Sequence, residues 1–296
     1  MTLRNLIPAL AIAACALVTA AQDKASFTPM PLDSGFGRMD LSDPPIPADQ
    51  IIKGFAAKES EFQEALSHYT YRRTASVDEI DDDTKKVAGE WYEVDDVIFD
   101  QTGRRMERVD FAPPNTLKEI MISPTDLQDL QHGYSFVLTT ADLPAYDITY
   151  VGRQQVDEVK CYVFDVAPKT IEKNKRYFQG RVWVDTNDLQ IVVTDGRMVP
   201  DDTRKNSADL HAPFITCRQQ VDGHYWFPVY SKGEGILHFP GGYGSMAEDV
   251  HIKELIKFTD YKRFGSSSKV FYNGQEIPKD GQQPNPAPTS PPDKGK

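Results

Sequence analysis

The chain has 296 residues, 40% of them hydrophobic and 10% aromatic, which supplies a core and excludes a globally disordered protein. Its formal net charge of −11 weighs against nucleic acid or anionic membranes as partners and is compatible with basic or apolar ligands.

The N-terminus, MTLRNLIPALAIAACALVTAAQ, has a basic start at Arg4, an apolar run and small residues at Val18–Ala21. This is the grammar of a secretory signal peptide, over 1–21, and the run is too short and wrongly flanked for a stable membrane span. Two readings of its end stand side by side. One is cleavage near Ala20 or Ala21. The other is lipidation of Cys15, because Ile12-Ala13-Ala14-Cys15 resembles a bacterial lipobox. Either reading places the protein across the inner membrane, in the periplasm.

Residues 22–46 are rich in Pro, Ser, Gly and Asp without periodicity, as in a flexible linker. From Pro47 to Ser67 the apolar residues Ile51, Ile52, Phe55, Phe62 and Leu66 recur at helical spacing, predicting an amphipathic helix whose stripe covers a sheet. The stretch from His68 then alternates as a strand, and the acidic run Asp78–Asp83 reads as an exposed loop without the Gly and Glu of a calcium site. Residues 87–111 form a hairpin turning at Asp100–Gly103, closed by Pro113-Pro114. Ser123-Pro124-Thr125-Asp126 starts a short helix, with Leu127 and Leu130 on its apolar side and Gly133 as its stop.

Strands resume over 146–154, 159–166, 176–184, 189–199, 214–221, 225–239 and 251–264. Asp222-Gly223 marks a hairpin, 200–210 a mobile polar loop and Pro240–Gly244 another loop. The result is a meander of roughly nine to eleven strands, near the size at which an open twisted sheet must curl or close. Residues 265–296 read as a Pro/Ser/Gly-rich, largely disordered tail.

The chemistry-bearing residues form no catalytic constellation. The six histidines are scattered, and there is no HExxH, paired Cys-x-x-Cys, Gly-x-Ser-x-Gly or phosphate loop, so neither a metal, a cofactor nor an enzymatic nucleophile is expected. Asp185 and Asp188 flank a turn and fit side-chain caps of that turn better than a catalytic pair. Arg153, Arg176 and Arg181 fit cross-strand ion pairs as well as ligand contacts. Cys161 and Cys217 are an even pair in an oxidising compartment, so a cross-strand disulfide and two buried thiols are both open.

What remains is an aromatic surplus on strands whose two faces are both apolar. Phe178, Val182 and Val184 face one way, Tyr177 and Trp183 the other. A half-wet sheet does not need this, so each face is covered, or one lines an apolar cavity.

The stretch 158–199 carries a strand ending Tyr162-Val163-Phe164-Asp165-Val166, then Gly180-Arg181-Val182-Trp183-Val184-Asp185, a turn, and Asp188-Leu189-Gln190-Ile191-Val192. This rhythm resembles the LolA/LolB-like superfamily of periplasmic lipoprotein-sorting carriers, as do the signal segment and the placing of the two helices. The long segment 22–46 and the tail depart from the compact carriers and mark a divergent relative.

The resemblance implies a mainly β (α+β) domain over 47–264, a single curled antiparallel sheet or unclosed half-barrel with covering helices. It implies a non-enzymatic carrier holding a lipid or lipoprotein acyl chain in an apolar cavity, and the aromatic residues of the helix and strands expected to line that cavity are Phe55, Phe62, Tyr162, Phe164, Trp183 and Trp226. In the carrier proper an arginine holds the lid shut; no single position here matches it. The alternative is a structural or sensory envelope domain that binds another protein with its cavity filled.

Overall fold

The computed structural model describes residues 36–100, 102, 104–200, 212–239 and 248–264, with the backbone of 270–272 and 275–277. The signal segment with Cys15, the loop 201–210 and Pro240–Gly244 lie outside the described residues.

Two helices and ten strands of one sheet make up the body: α1 (Ala48–Leu66), β1 (Tyr69–Ile80), β2 (Val87–Phe99), β3 (Arg105–Phe111), α2 (Pro124–His132), β4 (Tyr146–Val156), β5 (Val159–Pro168), β6 (Tyr177–Asp185), β7 (Ile191–Val199), β8 (Phe214–Gln220), β9 (Trp226–Phe239) and β10 (Glu248–Arg263). A backbone hairpin of β11 (Val270–Tyr272) and β12 (Gln275–Ile277) follows, inside the segment read as tail.

The sheet order is β3-β2-β1-β10-β9-β8-β7-β6-β5-β4, with every pairing antiparallel, and β3 and β4 remain the two separate edges. The sheet is therefore unclosed, as the resemblance implies. Neighbours in the sheet are consecutive in sequence except at β1–β10, where Tyr69 faces Arg263 and Ile80 faces His251.

The local signals read from the sequence are made as hydrogen bonds. Ser123 and Asp126 form a reciprocal capping box at α2, with Ser123 N donating to Asp126 Oδ2 at 2.7 Å. Asp100 Oδ1 accepts from the backbone N–H groups of Thr102 and Arg104 at 2.9 Å each, closing the β2–β3 turn. Gly223 has φ +78°, the left-handed backbone that its turn requires. Asp185 and Asp188 accept N–H bonds from Asn187 (3.0 Å) and Gln190 (3.1 Å), so both cap their turn.

Strand alternation divides the sheet's apolar residues between two covers. The inner face carries Tyr71, Ala75, Val77, Tyr162, Phe164, Phe178, Val182, Val184, Ile252 and Ile256, packed against Ile51 and Phe55 of α1 and Leu130 of α2. The outer face carries Val156, Cys161, Val163, Trp183, Val193 and Ile215, with Phe36, Met39 and Trp226 against them.

The outer cover belongs to the segment 22–46, whose described part is docked rather than free. Phe36 stacks on Trp183 with ring centroids 4.8 Å apart. Gly37 N donates to Gln155 O, and Asp40 and Arg153 exchange backbone bonds, all at 2.8 Å. This arm comes so near β4 that a Cβ at Gly152 would meet Asp40 O at 2.5 Å.

Candidate functional site

The chain leaves the sheet at one edge, β3, and re-enters at the other, β4. The connection, residues 112–145, must therefore cross a face of the sheet, and it crosses the inner one. It carries α2 and the 3-10 turn Gly133–Ser135. Together with α1 it roofs the inner face.

The roof is tied down by buried polar groups. Glu79 on β1 is 3% exposed and accepts the backbone N–H groups of Lys118 (2.9 Å), Glu119 (2.8 Å) and Ile120 (2.9 Å), pinning the start of the crossover. Arg73, 1% exposed, donates Nε to Asp95 Oδ2 at 3.0 Å and Nη1 to the α2 carbonyl of Gln131 at 2.7 Å.

Arg218 on β8 donates Nη1 to both Glu59 carboxylate oxygens of α1 at 3.0 Å each, and Nη2 to the carbonyl of Phe136. Its guanidinium also lies over the Phe62 ring, 5.1 Å from the centroid. Burial pushes the Glu59 carboxyl up from its usual range, while the Arg218 charge pulls it down. Tyr134 donates its hydroxyl to the buried carboxylate of Glu254 and stacks on Phe214 at 3.9 Å.

Glu59, Arg73, Arg218 and Glu254 were not singled out from sequence, and Glu79, read there as part of an exposed acidic loop, is instead a buried residue of β1, which runs on to Ile80; their positions nonetheless hold a signal. Glu59 lies between Phe55 and Phe62 on the apolar stripe of α1. Arg73 and Glu79 occupy the same alternating set as Tyr71, Ala75 and Val77. A charge placed on an apolar face is a buried charge, and a buried charge needs partners.

Between the last turn of α1 and the segment after α2, the inner face opens into a pocket of about 360 Å³. Leu66, Tyr71, Phe136, Val137, Tyr146, Phe178 and Met198 give its apolar wall, with Arg105, His132, Asp142 and Arg176 among its polar lining. Phe136 stacks on Phe178 at 4.3 Å.

The six residues expected to line one cavity divide three ways. Phe55, Tyr162 and Phe164 share the inner core, and Phe62 packs in a neighbouring cluster with Tyr69 and Phe227. Phe55, Phe62 and Phe164 are at most 1% exposed, so these three are filled core. Trp183 and Trp226 are on the outer face, correcting the expectation that they join the others. The register gives the reason: Trp183 lies opposite Val163 and Val184 opposite Tyr162, so Trp183 and Tyr162 point to opposite sides.

Cys161 and Cys217 are free thiols, so the disulfide reading is not realised. They sit on β5 and β8 with β6 and β7 between them. Three strand spacings of about 4.8 Å separate them, beyond the ~7 Å a disulfide spans. Arg181 pairs with Asp165 (2.7 Å) across β5–β6, while Arg176 pairs with Asp129 (2.8 Å) and Arg153 with Asp40 (2.7 Å). Among the described residues no group of three His, Cys, Asp or Glu side chains is placed to hold a metal ion. Among the same residues, no helix is long and apolar enough to cross a membrane.

No protein-family model matches the sequence, and no curated protein matches it. Among solved structures, the chain is similar to a DUF1329 family protein from Desulfovibrio piger, at 13% identity and TM-score 0.34, covering 73% of this chain and 94% of that one. It is similar to an outer membrane lipoprotein-sorting protein domain from Vibrio parahaemolyticus, at 11% identity and TM-score 0.32 over 73% and 94% of the two chains. It is also similar to a LolA superfamily protein from Nitrosomonas europaea, at 9% identity and TM-score 0.31 over 74% and 94% of the two chains.

Proposed function

We infer that the protein is a non-enzymatic envelope carrier that holds the apolar chain of a lipid or acylated protein between its sheet and its roof. The observation that carries this reading is the pocket of about 360 Å³ on the inner face, walled by Leu66, Phe136, Phe178 and Met198. The roof above it is fastened by discrete ion pairs and hydrogen bonds. Each buried methylene of a ligand would contribute roughly 0.8 kcal/mol, so a chain alone gives useful affinity without covalent chemistry. The strand-turn-strand pattern of 158–199 and the unclosed sheet support the same reading, as does the signal-like N-terminus for a periplasmic location.

The alternative, an envelope domain that binds a protein with its cavity filled, draws support from the filled core beneath Ile51 and Phe55. That filling confines ligand to the C-terminal end of α1. Extraction of the purified protein followed by lipid mass spectrometry, with a fluorescent fatty acid uptake assay, separates the two. Co-purifying lipid or saturable uptake is expected; absence of both would sink the carrier reading.

A further inference from the structure

The pocket is lined about equally by polar and apolar groups, and its mouth holds an arginine unlike its neighbours. Arg72 and Arg73 on β1 and Arg108 on β3, the strand of Arg105, are each ion-paired to an aspartate. Arg105 is exposed and holds no carboxylate among the described residues; it donates Nη2 to the Tyr71 hydroxyl at 2.9 Å, and its guanidinium sits 5.8 Å from the Tyr71 ring centroid. Tyr71 continues inward as part of the pocket wall. The other charges at the mouth are committed within the protein. Arg176 is held by Asp129 at 2.8 Å, and Asp142 accepts from Thr139 N (2.9 Å) and Thr139 Oγ1 (2.6 Å).

Volume limits the ligand as charge does. At about 360 Å³ the pocket lies at the small end of ligand-binding clefts, with room for a single apolar chain rather than the several of a membrane lipid or lipoprotein anchor.

Resting on the carrier reading, we propose that the ligand is a single-chain amphiphile with a carboxylate head. The head pairs with Arg105 at the mouth, and the chain runs past Tyr71 toward Phe136 and Phe178. Arg105 is then the residue that distinguishes a fatty acid from an uncharged chain of the same length.

Calorimetric titration of the purified full-length protein with dodecanoate and with dodecanol tests this. Dodecanoate is expected to bind a few-fold more tightly. Arg105→Gln is expected to weaken dodecanoate by about two- to fivefold, the worth of an exposed ion pair, and to leave dodecanol unchanged. Arg105→Lys should retain most of the difference. Because Arg105 is exposed, both variants should melt like the parent. Equal affinity for the two ligands, or a preference that survives Arg105→Gln, overturns the head-group assignment and leaves the pocket standing. Binding of neither ligand overturns the pocket reading and this proposal together.

Discussion

Glu59 and Arg218 are almost wholly buried, at 0% and 1% side-chain exposure, so their value is asymmetric. Breaking such a pair strands a charge, whereas replacing both partners by apolar groups removes the need for one. Glu59→Gln is therefore expected to lower unfolding free energy by roughly 3–5 kcal/mol in urea melts, and Glu59→Leu with Arg218→Met to recover most of the loss.

Asp95 makes a pH prediction. Burial pushes its carboxyl up to about 6 from the usual 3.8, against the pull of Arg73. Between those values the native state binds more protons than the unfolded chain. This residue's contribution is thus most favourable below pH 4 and falls as pH rises to about 6. Asp95→Asn should flatten that part of the stability profile, measured by urea melts from pH 4 to 7. At Cys161 burial raises the thiol well above its ordinary range. Native protein should resist iodoacetamide there, and denatured but unreduced protein should take the label on both Cys161 and Cys217.

At the scale of elements, the strands and helices were legible because their signals are local. Period-two runs in β1 and β5–β7, the cap at Ser123 and the turns at Asp100 and Gly223 each depend on a few neighbouring residues. The docking of 36–40 was not legible. Its contacts, Phe36 on Trp183 and Asp40 with Arg153, join residues far apart in sequence, and its Pro/Asp-rich surroundings read as linker. The lining was only partly legible, because choosing aromatics without counting register mixes the two faces, as with Tyr162 and Trp183. The crossover depends on Glu79, whose carboxylate takes three successive N–H groups. Glu79→Gln keeps the shape but loses the charge and puts N–H groups where only acceptors fit. Hydrogen exchange at Lys118–Ile120 should quicken at least tenfold, while β5–β7 keep their protection.

For the whole molecule, the two edges are managed differently. β4 is covered by the arm, and β3 carries Arg105, Glu107, Arg108 and Asp110, charges that discourage pairing with another chain. The crossover joins these edges over the inner face, so the roof belongs to the chain's path rather than being an appended lid.

The pairing of β1 with β10 has a kinetic consequence. It joins the beginning and the end of the folded chain in the interior of the sheet, while the strands on either side of it pair with sequence neighbours. Loop closure makes such a seam slow to form, and the flanking meanders can zip first. Pulse-labelling hydrogen exchange during refolding should therefore protect the amides of β5–β7 before those that β1 and β10 exchange between Thr74 and Ile80. A refolding chain would pass through a stage with two unjoined edges in what becomes the middle of the sheet, and aggregation should compete most strongly there.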